Sequence, residues 1–254
     1  MPIISHQRIT RPGQFGEGFT KDDGLGLCDG QYWIIEDSII DLSDCDLDEI
    51  DECCGVTWGS SAAFWRCHIK GAGKLILCGC GDKEKNRLEM GKEVCFFDSI
   101  LEDGGRRFPE VQDGMHVYMQ NCLIRNWGES SRFDTRNFGI WAHHGGIATL
   151  GNCVFWQDTF RRPAGQFVRD IASHIGQAVN DSGVKALLWP TTYLPGVCRG
   201  LMAGPGGRVE AADCYRNRRW IRLEGRIGEM DEDDALRLVA DLEHMAERLD
   251  RELP

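Results

Sequence analysis

The chain has 254 residues, of which 42% are hydrophobic and 27% charged, and its 29 basic and 40 acidic residues give a formal net charge of −11. This balance is typical of a globular domain and argues against nucleic-acid binding, which needs a basic face. No apolar run reaches the length of about 18 residues expected of a membrane-spanning helix, and residues 1–20 lack the apolar stretch of a secretory signal. We therefore expect no membrane association.

A repeated segment runs through most of the chain. Six stretches have similar sequences: YWIIEDSII (32–40), AAFWRCHIK (62–70), EVCFFDSIL (93–101), HVYMQNCLI (116–124), ATLGNCVFW (148–156) and RVEAADCYR (208–216). When the stretches are aligned, they share a polar or thiol position at Asp37, Cys67, Asp98, Asn121, Asn152 and Asp213. A recurrence of about 30 residues is typical of a β-solenoid, in which equivalent residues of successive coils stack. The alternative is a β-sandwich, but its strands recur every ~8–12 residues without such matching positions.

The repeats predict an all-β solenoid with two helical additions. We expect β-helix coils over residues 1–160, a helical insertion over 161–197, a further coil over 198–228 and a C-terminal helix within 229–254. Residues 163–180 begin with Pro163 and have apolar residues at helical spacing, and residues 231–252 continue an acidic start with a similar apolar pattern. The second helix is too short for an independent coiled coil. It is predicted to pack on the solenoid, with a subunit contact that makes an oligomer as the second interpretation.

The 12 cysteines show no paired spacing typical of a zinc site. Several of them fall in the repeated segments, where a small thiol packs well inside a solenoid. We therefore predict reduced, mostly buried thiols. Together with the absence of a secretory signal, this cysteine usage favours a reducing compartment or a virion.

Four motifs within residues 23–160 have a family-like order and spacing. They are Asp23-Gly24 followed by Trp33-Ile34, Gly59-Ser60-Ser61 followed by GKLILCG (73–79), then RFPEVQDG (107–114) and HVYMQN (116–121). This order resembles that of the pectate lyase family, whose members cleave uronic-acid polymers by β-elimination. The resemblance implies a right-handed single-stranded parallel β-helix, and it implies an acidic polysaccharide as the partner.

The resemblance also implies catalytic residues. Pectate lyases remove the proton next to a uronate carboxylate with an arginine, while bound calcium and a lysine neutralise that carboxylate. Arg107 matches the arginine and Lys74 matches the lysine, so both are predicted to be catalytic. Gln112 stands where the family has a second arginine, and Arg106 is the residue that would replace the missing charge. We predict that Gln112 and Arg106 bind substrate.

The calcium positions implied by the resemblance are only partly retained. Two of the three acidic ligand positions are occupied by Gly55 and Ile35, and only Asp51 keeps a carboxylate. Residues 36–52 nevertheless contain nine acidic residues and no lysine or arginine. Because calcium binds about six to eight oxygen atoms, we predict a rebuilt calcium site whose ligands are Asp48, Asp51 and Glu52. The alternative is a solvated acidic loop.

Two functions remain open at this point. One is a pectate-lyase-like polysaccharide lyase that uses Arg107 as base and Lys74 to neutralise the carboxylate. The other is a non-catalytic β-helix, either a carbohydrate-binding module or a structural component such as part of a phage tail or surface. Retention of both cations favours the lyase, whereas the absence of a secretory signal and the cysteine content favour the module.

Overall fold

The computed structural model describes residues 1–14, 22–28, 30–46, 50–57, 59–71, 73–79, 93–112, 114–127, 140–142, 147–151, 153–156, 186–188, 212–216, 219–223 and 232–253. Its strands are β1 (Ile3–Ser5), β2 (Arg8–Ile9), β3 (Leu25–Leu27), β4 (Tyr32–Glu36), β5 (Ile39–Asp41), β6 (Cys54–Val56), β7 (Ser61–Trp65), β8 (His68–Lys70), β9 (Ile76–Cys78), β10 (Glu93–Phe97), β11 (Ile100–Gly104), β12 (Glu110–Val111), β13 (His116–Gln120), β14 (Leu123–Trp127), β15 (Trp141–Ala142), β16 (Ile147–Gly151), β17 (Val154–Trp156), β18 (Ala186–Leu188), β19 (Ala212–Arg216) and β20 (Arg219–Leu223). The helix is α1 (Glu232–Glu252).

Three stacked parallel sheets form the body of the protein. Sheet 1 has the order β1-β4-β7-β10-β13-β16-β18, sheet 2 the order β2-β5-β8-β11-β14-β17 and sheet 3 the order β3-β6-β9-β12-β15. Each strand pairs in parallel with the strand of the next coil, so Ile35 lies beside Phe64 and Phe64 beside Phe96. The rings of Phe64 and Phe96 stack at 4.8 Å between centroids in the buried interior. This arrangement is consistent with the predicted solenoid.

The turn from sheet 1 to sheet 2 uses a residue with positive φ in five successive coils. These residues are His6, Asp37, Arg66, Asp98 and Asn121, with φ between 47° and 54°. Short polar side chains tolerate this left-handed region because they form local hydrogen bonds. The corner residues also bond to one another between coils, as the Asn121 side-chain amide donates to Asp98 Oδ1 at 2.9 Å. The repeated polar position of the sequence therefore marks a corner of the solenoid-like stack.

The predicted alignment of the second repeat is wrong by one residue. We aligned Cys67 with Asp37, but the strands pair His68 with Ile39, which puts Arg66 beside Asp37. Arg66 occupies the corner because its Nε donates to Asp37 Oδ1 at 2.7 Å. The correction matters because a shift of one residue moves every side chain of a strand to the opposite face.

The predicted state of the thiols is confirmed for the described residues. Nine cysteines there are free, and seven of these are buried: Cys53, Cys54, Cys67, Cys78, Cys95, Cys122 and Cys153. Three of them donate to a carbonyl of the preceding coil, as Cys67 Sγ does to Ile35 O at 3.5 Å. These thiols therefore fill the interior and also satisfy backbone acceptors.

The segment predicted as a sixth repeat does not form a parallel strand. Strand β19 pairs antiparallel with β20, with Tyr215 opposite Trp220. A connection of two residues closes an antiparallel hairpin, whereas a parallel pair needs a long crossover. The described part of residues 198–228 therefore differs from the predicted further coil. The predicted helix over 163–180 lies outside the described residues.

Helix α1 packs on the outer face of sheet 2. Its apolar residues Ala235, Val239, Leu242 and Ala246 contact Ile100, Leu123 and Val154 in one buried cluster. Ion pairs join Arg8 to Asp250 at 2.6 Å and Arg125 to Glu243 at 2.7 Å. The apolar side of the helix is thus covered by its own chain, in line with the first interpretation of its pattern. Within the part of the chain that the structure describes, no helix combines the length and apolar character needed to cross a membrane.

Candidate functional site

Charged side chains from successive coils meet at the corner where the chain enters sheet 3. Strands β3, β6 and β9 pair in register, and Asp23, Glu52 and Lys74 each lie two residues before the first paired position. Arg106 joins this row through a parallel bridge with Lys74. Residues in the same position of successive coils lie one strand spacing apart, about 4.8 Å. The register of the sheet therefore brings acidic and basic side chains from distant parts of the sequence into contact.

Lys74 is paired at the outer side of this corner. Its ammonium pairs with the Asp51 carboxylate and lies 3.8 Å from Glu52 Oε1. Burial lowers the pKa of Lys74, and the charges of Arg107 and Arg106 lower it further. The positive charges of Arg106 and Arg107 therefore lie close enough to Lys74 to act on a carboxylate placed there.

Arg107 lies between two buried carboxyl groups. Its guanidinium pairs with Glu52, and its Nε lies 2.6 Å from Glu110 Oε2. The backbone of Arg107 has a φ of 68°, and the next residue, Phe108, is fully buried. The core contact of Phe108 and the two carboxyl groups hold the guanidinium in one position.

Neighbouring groups shift the pKa of Glu52 in opposite directions. Burial raises its pKa to about 8, the charge of Arg107 opposes this rise, and the neighbouring Asp23 and Glu110 carboxyls add to it. Burial and the neighbouring carboxyls therefore favour the protonated form of Glu52, which shares a side-chain hydrogen bond with Asp23, whereas Arg107 favours the ionised form. A protonated carboxyl beside ionised carboxylates is typical of sites where several acids converge.

Asp23 enters the cluster from the preceding coil. Its Oδ1 accepts a hydrogen bond from the Glu52 backbone N–H at 3.2 Å, and its Oδ2 lies 2.7 Å from the point where a Cβ of Gly55 would stand. A larger residue at position 55 would therefore collide with the carboxylate. Oxygen atoms of Asp23, Asp51 and Glu52 all lie within 4.8 Å of one another, which makes them a possible set of ligands for a metal ion.

The structure brings most of the predicted site residues together. Lys74, Arg106, Arg107, Asp51 and Glu52 all lie at this corner. Asp48 lies outside the described residues. The roles assigned to all of these residues stay predictions.

Gln112 is placed apart from the charged corner. It is 6% exposed, its backbone N–H donates to Cys78 O at 2.9 Å, and its side chain lies against Gly79. By the register of sheet 3, Gln112 aligns with Gly79 and follows β12, whereas Lys74 precedes β9. Its role in substrate binding stays a prediction.

Sequence reasoning missed two residues of the cluster, Asp23 and Glu110. The signal for Asp23 was its position two residues before β3, which repeats at Glu52 before β6. The signal for Glu110 was its spacing of three residues from Arg107 on the way into β12. The signal for Asp23 becomes visible only when the register of sheet 3 is known, whereas the signal for Glu110 is a spacing in the sequence.

Comparison with known proteins adds no assignment: no model of a protein family matches this chain, and no curated protein matches it.

Proposed function

We propose that the protein is a right-handed parallel β-helix of the pectate-lyase type that cleaves a uronic-acid-containing polysaccharide by β-elimination. One observation carries the proposal. Lys74 and Arg107, which the sequence resemblance pairs, converge on the same carboxyl group, because the Lys74 ammonium and the Arg107 guanidinium both approach Glu52 Oε1. Two cations directed at one carboxyl group are what binding of a uronate carboxylate beside a base requires.

The proposed reaction assigns a separate task to each cation. Lys74 binds the uronate carboxylate and withdraws charge from the adjacent carbon. Arg107 takes the proton from that carbon, the C–H electrons form the new double bond, and the glycosidic C–O bond breaks with its electrons on the leaving oxygen. An arginine serves as base only where nearby positive charge outweighs nearby carboxylates. Lys74 and Arg106 add two positive charges at this corner, and the carboxyl groups of Glu52 and Glu110, which pair with Arg107, offset them.

A calcium ion fits the chemistry of the carboxyl groups at this corner. Asp23, Asp51 and Glu52 offer three oxygen ligands within 4.8 Å of one another, and Gly55 leaves the space that Asp23 occupies. A bound calcium ion would supply positive charge next to the uronate carboxylate. Because Lys74 and Arg107 already pair with two of these groups, we expect weak binding, near ~10⁻⁴–10⁻³ M.

We expect Asp23→Asn to weaken calcium binding about tenfold or more, because the cluster loses both a ligand and a negative charge. Isothermal calorimetry with calcium chloride measures the change. Asp41→Asn is the matched control, since Asp41 pairs with Lys70 at 3.2 Å on sheet 2, outside this cluster. If the unmodified protein took up no calcium at millimolar concentration, the calcium assignment would be wrong.

The proposed reaction is tested by the release of unsaturated uronides, which absorb ultraviolet light. A panel of acidic polysaccharides is incubated with the protein in calcium and, separately, in a chelator. Lys74→Gln should remove the release, whereas Lys70→Gln, which breaks the Lys70–Asp41 pair on sheet 2, should preserve it. Release that persists unchanged in Lys74→Gln would refute the assigned role of Lys74.

A non-catalytic carbohydrate-binding or structural module is the second candidate. It is favoured by the buried ion pairs of Arg107 with Glu52 and Glu110, which are also typical of a structural arginine. The same assay separates the two functions. A module binds an acidic polysaccharide without releasing uronides, with or without calcium.

A further inference from the structure

The two cations of the charged corner have partners of very different exposure. The Arg107 guanidinium pairs with Glu52 and Glu110, whose side chains are 3% and 5% exposed. The Lys74 ammonium pairs with Asp51, whose side chain is 46% exposed. Arg107 is therefore bound to groups that cannot return to water cheaply, whereas the partner of Lys74 can.

We propose that Asp51 is an internal competitor at Lys74, and that a carboxylate-bearing saccharide binds by taking the place of the Asp51 side chain. The inference rests on the proposed function and names how the same site selects its substrate. The exchange leaves the charge of the corner unchanged, because one carboxylate replaces another on the same ammonium. Asp51 then moves into solvent, to which nearly half of its side chain is already exposed.

The competitor makes the site selective for charged sugars. A neutral saccharide offers only hydroxyl groups, which bind an ammonium less strongly than a carboxylate does and would not displace Asp51. The net charge of −11 repels a polyanionic chain at long range. Short-range pairing with Lys74 therefore has to provide the recognition of the sugar carboxylate. Only a ligand that binds Lys74 more strongly than Asp51 does is expected to displace Asp51.

Glu52 does not act as a second competitor of this kind. Glu52 Oε1 lies 3.8 Å from Lys74 Nζ. In the buried part of the corner its side chain pairs with Arg107, and its backbone N–H donates to Asp23 Oδ1. Moving it outward would leave the Arg107 guanidinium with one partner fewer. Displacement by a ligand is thus confined to Asp51, which gives the inference a single residue to test.

The test measures binding of a galacturonic-acid oligosaccharide by calorimetry in the presence of a chelator, so that no calcium contributes. We expect Asp51→Asn to bind about two- to fivefold more tightly than the unmodified chain, the range expected when an exposed ion pair no longer competes. Lys74→Gln should bind about tenfold more weakly. The double variant should match Lys74→Gln alone, because Asp51 acts only through Lys74.

Asp41→Asn is the matched control, since it removes the same charge from a lysine–aspartate pair elsewhere on the surface. It should leave the affinity within about twofold of the unmodified value. Weaker or unchanged binding by Asp51→Asn, an equal gain in Asp41→Asn, or no binding by any variant would overturn the inference.

The outcome for Asp51 is separable from the outcome for the reaction. If the affinities follow the expected order but no polysaccharide releases uronides, the lyase proposal fails and the competitor at Lys74 stands. If uronides are released but Asp51→Asn gains no affinity, the lyase proposal stands and the competitor fails.

Discussion

Replacement of Arg107 by alanine is expected to abolish uronide release, with a loss of at least ~100-fold in turnover, because the base acts in the chemical step itself. The same change should also lower the free energy of unfolding by about 3–5 kcal/mol. It leaves Glu52 and Glu110 buried without their common cation, which costs more than the pair itself contributes. Denaturant unfolding followed by circular dichroism measures the second effect.

Arg107→Lys separates catalysis from stability. It keeps a positive charge between the two glutamates but loses the planar group that contacts both of them. We expect it to fold with most of the original stability and still release no uronides. Arg66→Lys is the matched control. Arg66 binds the single carboxylate of Asp37 through two nitrogens, at the turn between sheets 1 and 2 and outside the charged corner. Unchanged turnover in Arg107→Lys would show that Arg107 is an ordinary structural residue.

The periodicity of the sequence predicted the parallel stack because a solenoid repeats one local environment in every coil. The polar residues Asp37, Asp98 and Asn121 recur because the corner needs a left-handed residue. Buried thiols recur at the next position, where Cys67, Cys122 and Cys153 are all fully buried. Such requirements select the same type of residue in each repeat, and this recurrence is visible in the sequence alone.

The predicted alignment of the second repeat was wrong at the corner position. There a contact between side chains replaces the preference for aspartate or asparagine that other coils show. Arg66 takes a corner position that suits aspartate or asparagine because Asp37 binds its guanidinium. A local pattern carries no information about that pair, which joins different coils. The segment 208–216 was predicted to join the parallel coils, and its strand β19 pairs antiparallel with β20 instead. Only two residues of sequence separate β19 from β20, which suits a hairpin and not a parallel crossover.

The candidate site was predictable only in part for the same reason. Lys74 and Arg107 were each found through a motif of neighbouring residues in the sequence, 73–79 for Lys74 and 107–114 for Arg107. Asp23 and Glu110 belong to the site through register and burial, which place them against Glu52 and Arg107. Side chains of different coils meet because the sheets stack in a particular register. The sequence reveals which side chains meet only when the pairing of every strand is known.

A second large effect is expected at Glu102, far from the charged corner and beneath helix α1. Glu102 is 5% exposed, its Oε1 lies 2.7 Å from His68 Nε2, and its Oε2 accepts from Arg125 Nε at 2.6 Å. Arg125 in turn pairs with Glu243 on α1. The carboxylate is therefore the centre of a buried network that connects β8, β11 and β14 to the helix.

The pKa of Glu102 gives the sign and size of the effect. Burial works against its ionisation, but the hydrogen bond from His68 and the charges of His68 and Arg125 outweigh burial and lower the pKa from 4.5 to about 2. A lowered folded-state pKa stabilises the fold at every pH above the unfolded value and loses this contribution as the pH falls from about 4.5 to 2. The shift corresponds to about 3 kcal/mol.

We therefore expect Glu102→Gln to lower the free energy of unfolding at pH 7 by about 3 kcal/mol, measured in urea, because the amide keeps the shape of the side chain but not its charge. The difference from the unmodified protein should shrink as the pH is lowered and become small close to pH 2, where half of the Glu102 carboxyl is protonated in the folded state and nearly all of it in the unfolded state. Glu243→Gln is the matched control. Glu243 is the outer partner of Arg125, and the Glu243 side chain is 46% exposed. Its replacement should lower the free energy of unfolding by less than about 1 kcal/mol. Equal stability of Glu102→Gln and the unmodified protein at pH 7 would show that the network does not hold the helix to sheet 2.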